Sequence, residues 1–190
     1  MIVVLDQAQA HRDLAAAVLR CPGCAGSLRQ WGFARARPLR LSCGGRTWLR
    51  PRRARCPACA VTHVLPPAQA PARHAYAIDV VGLALLASAR GQGHRKIGAE
   101  LAVPADTVRG WIRRANGRAQ WLREQGTIRG HECDPMLPAA VPTASALADA
   151  LSALGLAAAA VVRRLGQVAP TWHIIAMLAR GRLLAPQRSG

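Results

Sequence analysis

Two short cysteine motifs carry the clearest chemistry in the chain: Cys21-Pro22-Gly23-Cys24 and, after an interval of 31 residues, Cys56-Pro57-Ala58-Cys59. A Cys-x-x-Cys turn can hold two thiolates about 2.3 Å from one zinc ion, and two such turns close a tetrahedral site with no open position. Chemistry of that kind is structural rather than catalytic. Apparent zinc affinity at such sites is about 10–16 kcal/mol, and in a segment with few large apolar side chains this is also folding energy. A dithiol redox reading of the same pairs needs a βαβ setting, which this stretch does not offer. One structural Zn2+ on Cys21, Cys24, Cys56 and Cys59 is therefore expected. Cys43 stands on a Gly-rich turn and reads as a free thiol, while His63, in the strand-like run Val61-Thr62-His63-Val64-Leu65, reads as a packing side chain. His131 and Cys133 form a weak metal pair of the incidental kind.

The second constellation lies in residues 93–114. Ile97 and Leu101 stand four apart, and Val108 precedes Trp111 and Ile112 by three and four, so two short helices each present one apolar face. Gly98 lets these helices approach, Val103 plugs the corner, and Pro104 suits a first helical position. Ala102 is the turn residue, predicted to be left-handed at a cost on the order of 1 kcal/mol. A helix-turn-helix folded this way leaves Ala105, Asp106, Arg109, Arg113 and Arg114, with Thr107 beside them, on the face that a recognition helix presents to a major groove. Arg109 and Arg113 are the candidate base readers, because an Arg paired bidentately with guanine is the commonest specific contact. Asp106 either accepts from cytosine N4 or complements the positive end of its own helix. His94, Arg95 and Lys96 open the preceding helix, and Arg50, Arg52 and Arg53 lie upstream; both groups are candidates for backbone phosphate.

Positioning these groups calls for an α+β chain: a small N-terminal zinc ribbon of short antiparallel strands, then a mostly α helix-turn-helix bundle and C-terminal helices. Residues 1–20 read as a helix with Leu14 and Val18 as its contacts. Residues 21–65 read as the ribbon, where Leu39 and Leu41 alternate with Arg40 and Ser42, a second strand covers 48–50, and Gly44-Gly45 turns between them. Residues 66–75 read as an extended linker separating two modules. The helix-turn-helix domain occupies 76–128, with its first helix at 78–89 and Trp121 and Leu122 returning to its core. Residues 129–142 read as a loop and 143–190 as the C-terminal helical segment. There, Leu147, Leu151, Leu154, Ala158, Val161 and Leu165 form a narrow stripe, with Gly155 as a break, and Thr171 caps a last helix. Such a stripe serves an internal core first and a homodimer seam second.

The 190 residues carry 25 Arg and one Lys against nine acids, a net charge of +17. A preference for Arg over Lys also fits GC-rich coding, but the distribution points to a polyanion. No carboxylate occurs between Asp13 and Asp79, a run of 65 residues holding eleven arginines, and such a field attracts nucleic acid. A membrane partner is not expected, since the most apolar run, residues 150–162, is too short to span. The apolar start meets Asp6 without a basic residue, so no export signal is expected and the six cysteines belong in a reducing cytoplasm, close to the nucleoid. Phosphoryl-transfer catalysis needs clustered carboxylates to hold divalent metal. Only Glu132, Asp134 and Asp149 follow residue 130, so no enzyme is expected.

Cys21, Pro22, Cys24, Trp31-Gly32, Arg55-Cys56, Cys59, Thr62-His63, Gly93-His94-Arg95 and Thr107-Val108-Arg109-Gly110-Trp111 together span most of residues 21–115. In these residues the chain resembles a bacterial family of zinc-ribbon plus helix-turn-helix proteins with no assigned activity. That family is similar in turn to the N-terminal DNA-binding regions of insertion-sequence transposases, and the tail Gly181-Arg182-Leu183-Leu184 fits the same likeness. The resemblance implies a zinc- and DNA-binding protein associated with mobile elements or with transcription regulation. The expectation is a sequence-specific binder of double-stranded DNA, acting as a regulator or beside a separately encoded transposase or recombinase. The alternatives are a non-catalytic zinc-ribbon module that binds RNA or protein, its helical half serving to dimerise, and a remnant or partner of a transposase.

Overall fold

Asp6 opens the first helix by accepting a hydrogen bond from the N–H of Gln9 at 2.7 Å. A computed structural model describes residues 2–71, 74–143, 145–166 and 169–185, and in it α1 (Gln7–Ala15) buries Ala10 and Leu14. The helix ends short of residue 20 because Ala17 turns left-handed, at φ 53°. Val18 is 61% exposed rather than packed, and Leu19 and Arg20 double back along Ser27 and Leu28 into the first cysteine turn.

Five short strands follow: β1 (Arg29–Phe33), β2 (Arg37–Arg40), β3 (Arg46–Leu49), β4 (Arg52–Arg55) and β5 (Thr62–Leu65). They form two sheets. β1, β4 and β5 pair antiparallel around the central β4, with Arg29 opposite Arg55 and Ala54 opposite His63. β2 and β3 form a separate hairpin turned by Gly44, whose φ is 79°. Strand alternation decides where each sheet points. Ala54 and Leu65 join Leu14, Leu28, Cys21 and Cys56 in a small core under α1. Leu39 and Leu49 of the hairpin belong instead to the large core of the helical half.

The two halves thus share one core, and the extended linker expected over 66–75 is corrected at 66–71 and 74–75; residues 72 and 73 lie outside the described residues. Pro66, Pro67, Ala68 and Ala70 are buried. The Val4 N–H donates to the Pro66 carbonyl (3.1 Å), the Ala68 N–H to Val4 (2.7 Å), and the Ile78 N–H to Gln69 (2.8 Å). On the other side, Arg40 exchanges backbone hydrogen bonds with Ala75 and Ala77. This segment is a packed strip whose backbone groups find partners, as burial requires.

The helical half begins with α2 (Ile78–Ala89), α3 (His94–Glu100) and α4 (Ala105–Asn116). Ile97, Val103, Val108 and Trp111 are buried where α3 meets α4. A methyl group on Gly98 would stand 2.7 Å from the Val103 carbonyl oxygen, so only glycine permits this approach. Ala102 takes the left-handed turn at φ 50°. The next helix, α5 (Ala119–Cys133), runs through residues 129–133, where a loop is expected from the sequence. Gly126 and Gly130 look like helix breakers but serve as contact points. A Cβ on Gly126 would lie 2.7 Å from the Ala153 and Leu154 backbone of α6 (Ala146–Leu165).

α6 starts at its Ser145 cap and passes Gly155 unbroken, since continuous packing outweighs one glycine's cost of about 1 kcal/mol. Its stripe is buried from Leu147 to Ala158; Val161 is half-buried and Leu165 exposed. By length and composition α6 is sufficient to cross a membrane, a length that the apolar run understates because it stops at Arg163. Asp149 on its first turn accepts from the N–H (2.6 Å) and hydroxyl (2.8 Å) of Thr143 and faces Arg123 at 3.7 Å. α7 (Thr171–Leu178) begins one residue after Pro170, which takes the cap position expected of Thr171, and lays Trp172 against Gly82 of α2.

Candidate functional site

Each cysteine motif folds into the same turn. The Cys21 N–H donates to the Gly26 carbonyl and the Ala25 N–H to the Cys21 carbonyl, both at 2.8 Å; the Cys56 N–H donates to the Val61 carbonyl at 2.9 Å. The residue after the second cysteine is left-handed in both, Ala25 at φ 57° and Ala60 at φ 61°. An alanine in this region costs on the order of 1 kcal/mol, and the same departure at two equivalent positions marks a geometry that the cysteine turns impose.

The turns bring Cys21, Cys24, Cys56 and Cys59 together, with all four Sγ atoms within 4.8 Å of one another. Cys21 Sγ is 3.6 Å from Cys59 Sγ, and Cys24 Sγ is 3.4 Å from Cys56 Sγ. These separations far exceed the roughly 2.05 Å of a disulfide. They come within a few tenths of the ~3.8 Å that separates sulfurs on a tetrahedral centre with 2.3 Å bonds. Four soft donors at this spacing can hold one metal ion, and they are the one such group among the described residues.

Electrostatics within the cluster is uneven. The N–H of Gly23, foremost among several donors, lowers the Cys21 thiol to about 7, and the N–H of Cys59 does the same for Cys56. The N–H of Gly26 favours the Cys24 thiolate, but the adjoining Cys56 and Cys59 outweigh it and push Cys24 up to about 12. The cluster is a partly charged set of thiols that a cation would complete. His63, 7% exposed, places Nε2 3.4 Å from Cys21 Sγ, so it packs on the ribbon as expected and also touches a sulfur of the cysteine cluster. Cys43 is exposed on the hairpin turn, Cys133 ends α5, and His131 Nδ1 sits 2.8 Å from the Thr127 carbonyl of its own helix.

The outer face of α4 is the second feature. Val108, Trp111 and Ala115 are buried, Asp106, Arg109, Arg113 and Arg114 are exposed, and Ala105 and Thr107 are half-buried at its start. Asp106 stands 3.2 Å from Arg109, a pairing beyond the two roles expected of this carboxylate; both side chains are largely in solvent, where such pairs contribute little. Arg113 and Arg114 have no carboxylate partner among the described residues. At the start of α3, Arg95 and Lys96 are exposed and His94 half-buried, with no acid in that turn to complement the helix dipole.

The ribbon arginines divide. Arg50 is exposed, whereas Arg52 and Arg53 are half-buried, and Arg52 Nε donates to the Gln7 carbonyl at 3.2 Å. Arg50 and Arg52 lie over the Phe33 ring at 4.9 and 5.0 Å from its centroid, and Arg55 lies over Trp31 at 4.7 Å. A count of the arginines alone misses these aromatic partners; the available signal was aromatic residues interleaved with arginine in short strands.

No curated protein and no solved structure matches the chain. A family model described as a domain of unknown function (DUF6431) matches residues 21–111, so the likeness begins at the first cysteine, takes in both cysteine turns and the hairpin, and ends at Trp111 on the buried face of α4.

Proposed function

We propose that this chain is a sequence-specific binder of double-stranded DNA, with α4 as the recognition helix and one structural zinc ion on Cys21, Cys24, Cys56 and Cys59. The reading rests chiefly on one observation: α4 is anchored through Val108, Trp111 and Ala115 while Arg109, Arg113 and Arg114 on its other face stay in solvent. An amphipathic helix whose free face is arginine-rich suits the major groove, and Arg109 and Arg113 are the base readers. Zinc is favoured over other metals by the four-thiolate donor set and the closed tetrahedral spacing. The hairpin shares its core with α2–α4, so the ribbon's arginines are carried in fixed relation to that helix, where Arg50 meets phosphate. The chain acts in the cytoplasm on the nucleoid, in regulation or beside a separately encoded transposase, and is not itself an enzyme.

The test is the double variant Arg109→Ala, Arg113→Ala. Each bidentate arginine supplies about 1–3 kcal/mol of discrimination between bases, so the variant should bind its preferred duplex and a scrambled one almost equally while keeping its fold. Equal loss of affinity for every duplex, with the ratio unchanged, would refute base reading by this helix.

A further inference from the structure

The β2–β3 hairpin has two unlike faces. Leu39 and Leu49 point into the large core, while Pro38, Arg40, Arg46 and Trp48 are exposed on the other side. Trp48 is 75% exposed on a regular strand, and among the described residues no aromatic ring or guanidinium stacks on it, unlike Trp31, Phe33 and Trp121. An indole left open in this way exposes a large apolar ring that folding does not use. Arg46 shares its face, and Arg50, exposed and lying over the Phe33 ring, follows Trp48 by two residues. Between Asp13 and Asp79 the surrounding run contains no carboxylate. Glu100 lines the cleft of about 340 Å³ between the hairpin and α3, and there it faces Gln92 at 3.3 Å.

We propose that Trp48 is a stacking platform for an unpaired base of single-stranded DNA, with Arg46 and Arg50 on the flanking phosphates. An indole face accepts any base by stacking, and arginines on the same surface hold the backbone; this pairing of contacts characterises single-strand sites. Charge complementarity selects the occupant, because a protein docking on this face would have to be acidic and also cover an isolated indole. The hairpin is braced from behind by Leu39 and Leu49, so the platform is rigid and moves with α4. The proposal rests on the nucleic-acid reading above and adds to it a second kind of DNA.

The experiment measures binding of the zinc-loaded chain to an oligothymidylate of about ten nucleotides, a length within the usual range of single-strand sites, and to a blunt duplex. Trp48→Ala should weaken oligothymidylate binding about tenfold (~1.4 kcal/mol) and leave duplex binding within about twofold. Trp48→Phe should retain most of the affinity. Because the side chain is exposed, both variants should keep their metal content and helicity. The double variant in α4 should keep oligothymidylate binding while losing duplex selectivity, so failure of one assignment is separable from failure of the other. An unchanged affinity in Trp48→Ala, an equal loss on both DNAs, no oligothymidylate binding by the parent chain, or tighter binding of the matching oligouridylate would each overturn the proposal.

Discussion

Cys24 sets how the cysteine cluster would take up a metal ion at the scale of single residues. Its thiol, pushed up to about 12 by Cys56 and Cys59, keeps its proton throughout the ordinary pH range, so at least one proton must leave when metal binds. Cys21 and Cys56, lowered to about 7, add to this requirement only as pH falls through that value. The sign follows: protons compete with the metal, so affinity falls as pH falls. Zinc affinity, measured by chelator competition, should drop at least about tenfold per pH unit above pH 7 and more steeply below it. Replacing Cys56 with Ser should abolish stoichiometric zinc and unfold the small core that Cys56 shares with Leu28 and Leu65. A flat affinity between about pH 6 and 8 would contradict the thiolate set. The sequence disclosed the meeting of these four cysteines because two Cys-Pro-x-Cys turns are sufficient in themselves. It did not disclose the contact of His63 with Cys21, since a histidine in a strand looks the same whatever lies across the core.

Among the elements, the close helix crossings lead to two stability predictions. Ala102 holds φ 50° at the α3–α4 turn, so Ala102→Gly should stabilise the chain by roughly 1 kcal/mol, read as a rise in the denaturant midpoint. Gly126 abuts the α6 backbone, where an added methyl would lie 2.7 Å from the Ala153 carbonyl carbon and the Leu154 nitrogen. Gly126→Ala should therefore destabilise by about 1–3 kcal/mol despite alanine's higher helix propensity; a gain in stability would mean that α5 and α6 lie further apart. The helix-turn-helix was legible because Ile97, Val108 and Trp111 repeat at helical spacing and Gly98 and Pro104 punctuate them. The hairpin was legible from Leu39, Leu41 and the glycine turn. β1 and β4 were missed because Arg29–Phe33 is exposed along its whole length and Arg52–Arg55 buries only Ala54, leaving little alternation to read. The end of α5 was missed because Gly126 and Gly130 signal a break locally while their value lies in what they touch.

For the whole molecule, the packed strip at 66–71 and the hairpin's place in the helical core change what the cysteine turns are for. They do not stabilise an appendage; they fix the sheet whose strands β1 and β4 flank the separate hairpin in the chain, and the hairpin, through Leu39 and Leu49, reaches the same core as Trp111. Charge follows the same plan, since the acid-free run covers the ribbon and the hairpin, and the exposed arginines of α4 extend it into the helical half. No local pattern could announce this union, because Pro66 to Ala70 has the composition of a linker and is packed only by partners distant in sequence, such as Val4. The most direct measurement is selection of duplexes from a random-sequence pool by the zinc-loaded chain, followed by affinity for the selected duplex across a salt series. The account predicts an enriched motif and a steep loss of affinity with salt, each neutralised phosphate adding about −0.9 to the logarithmic slope. A steep slope with no enriched motif would mean that the positive face binds DNA but α4 does not read it, and would contradict the central claim.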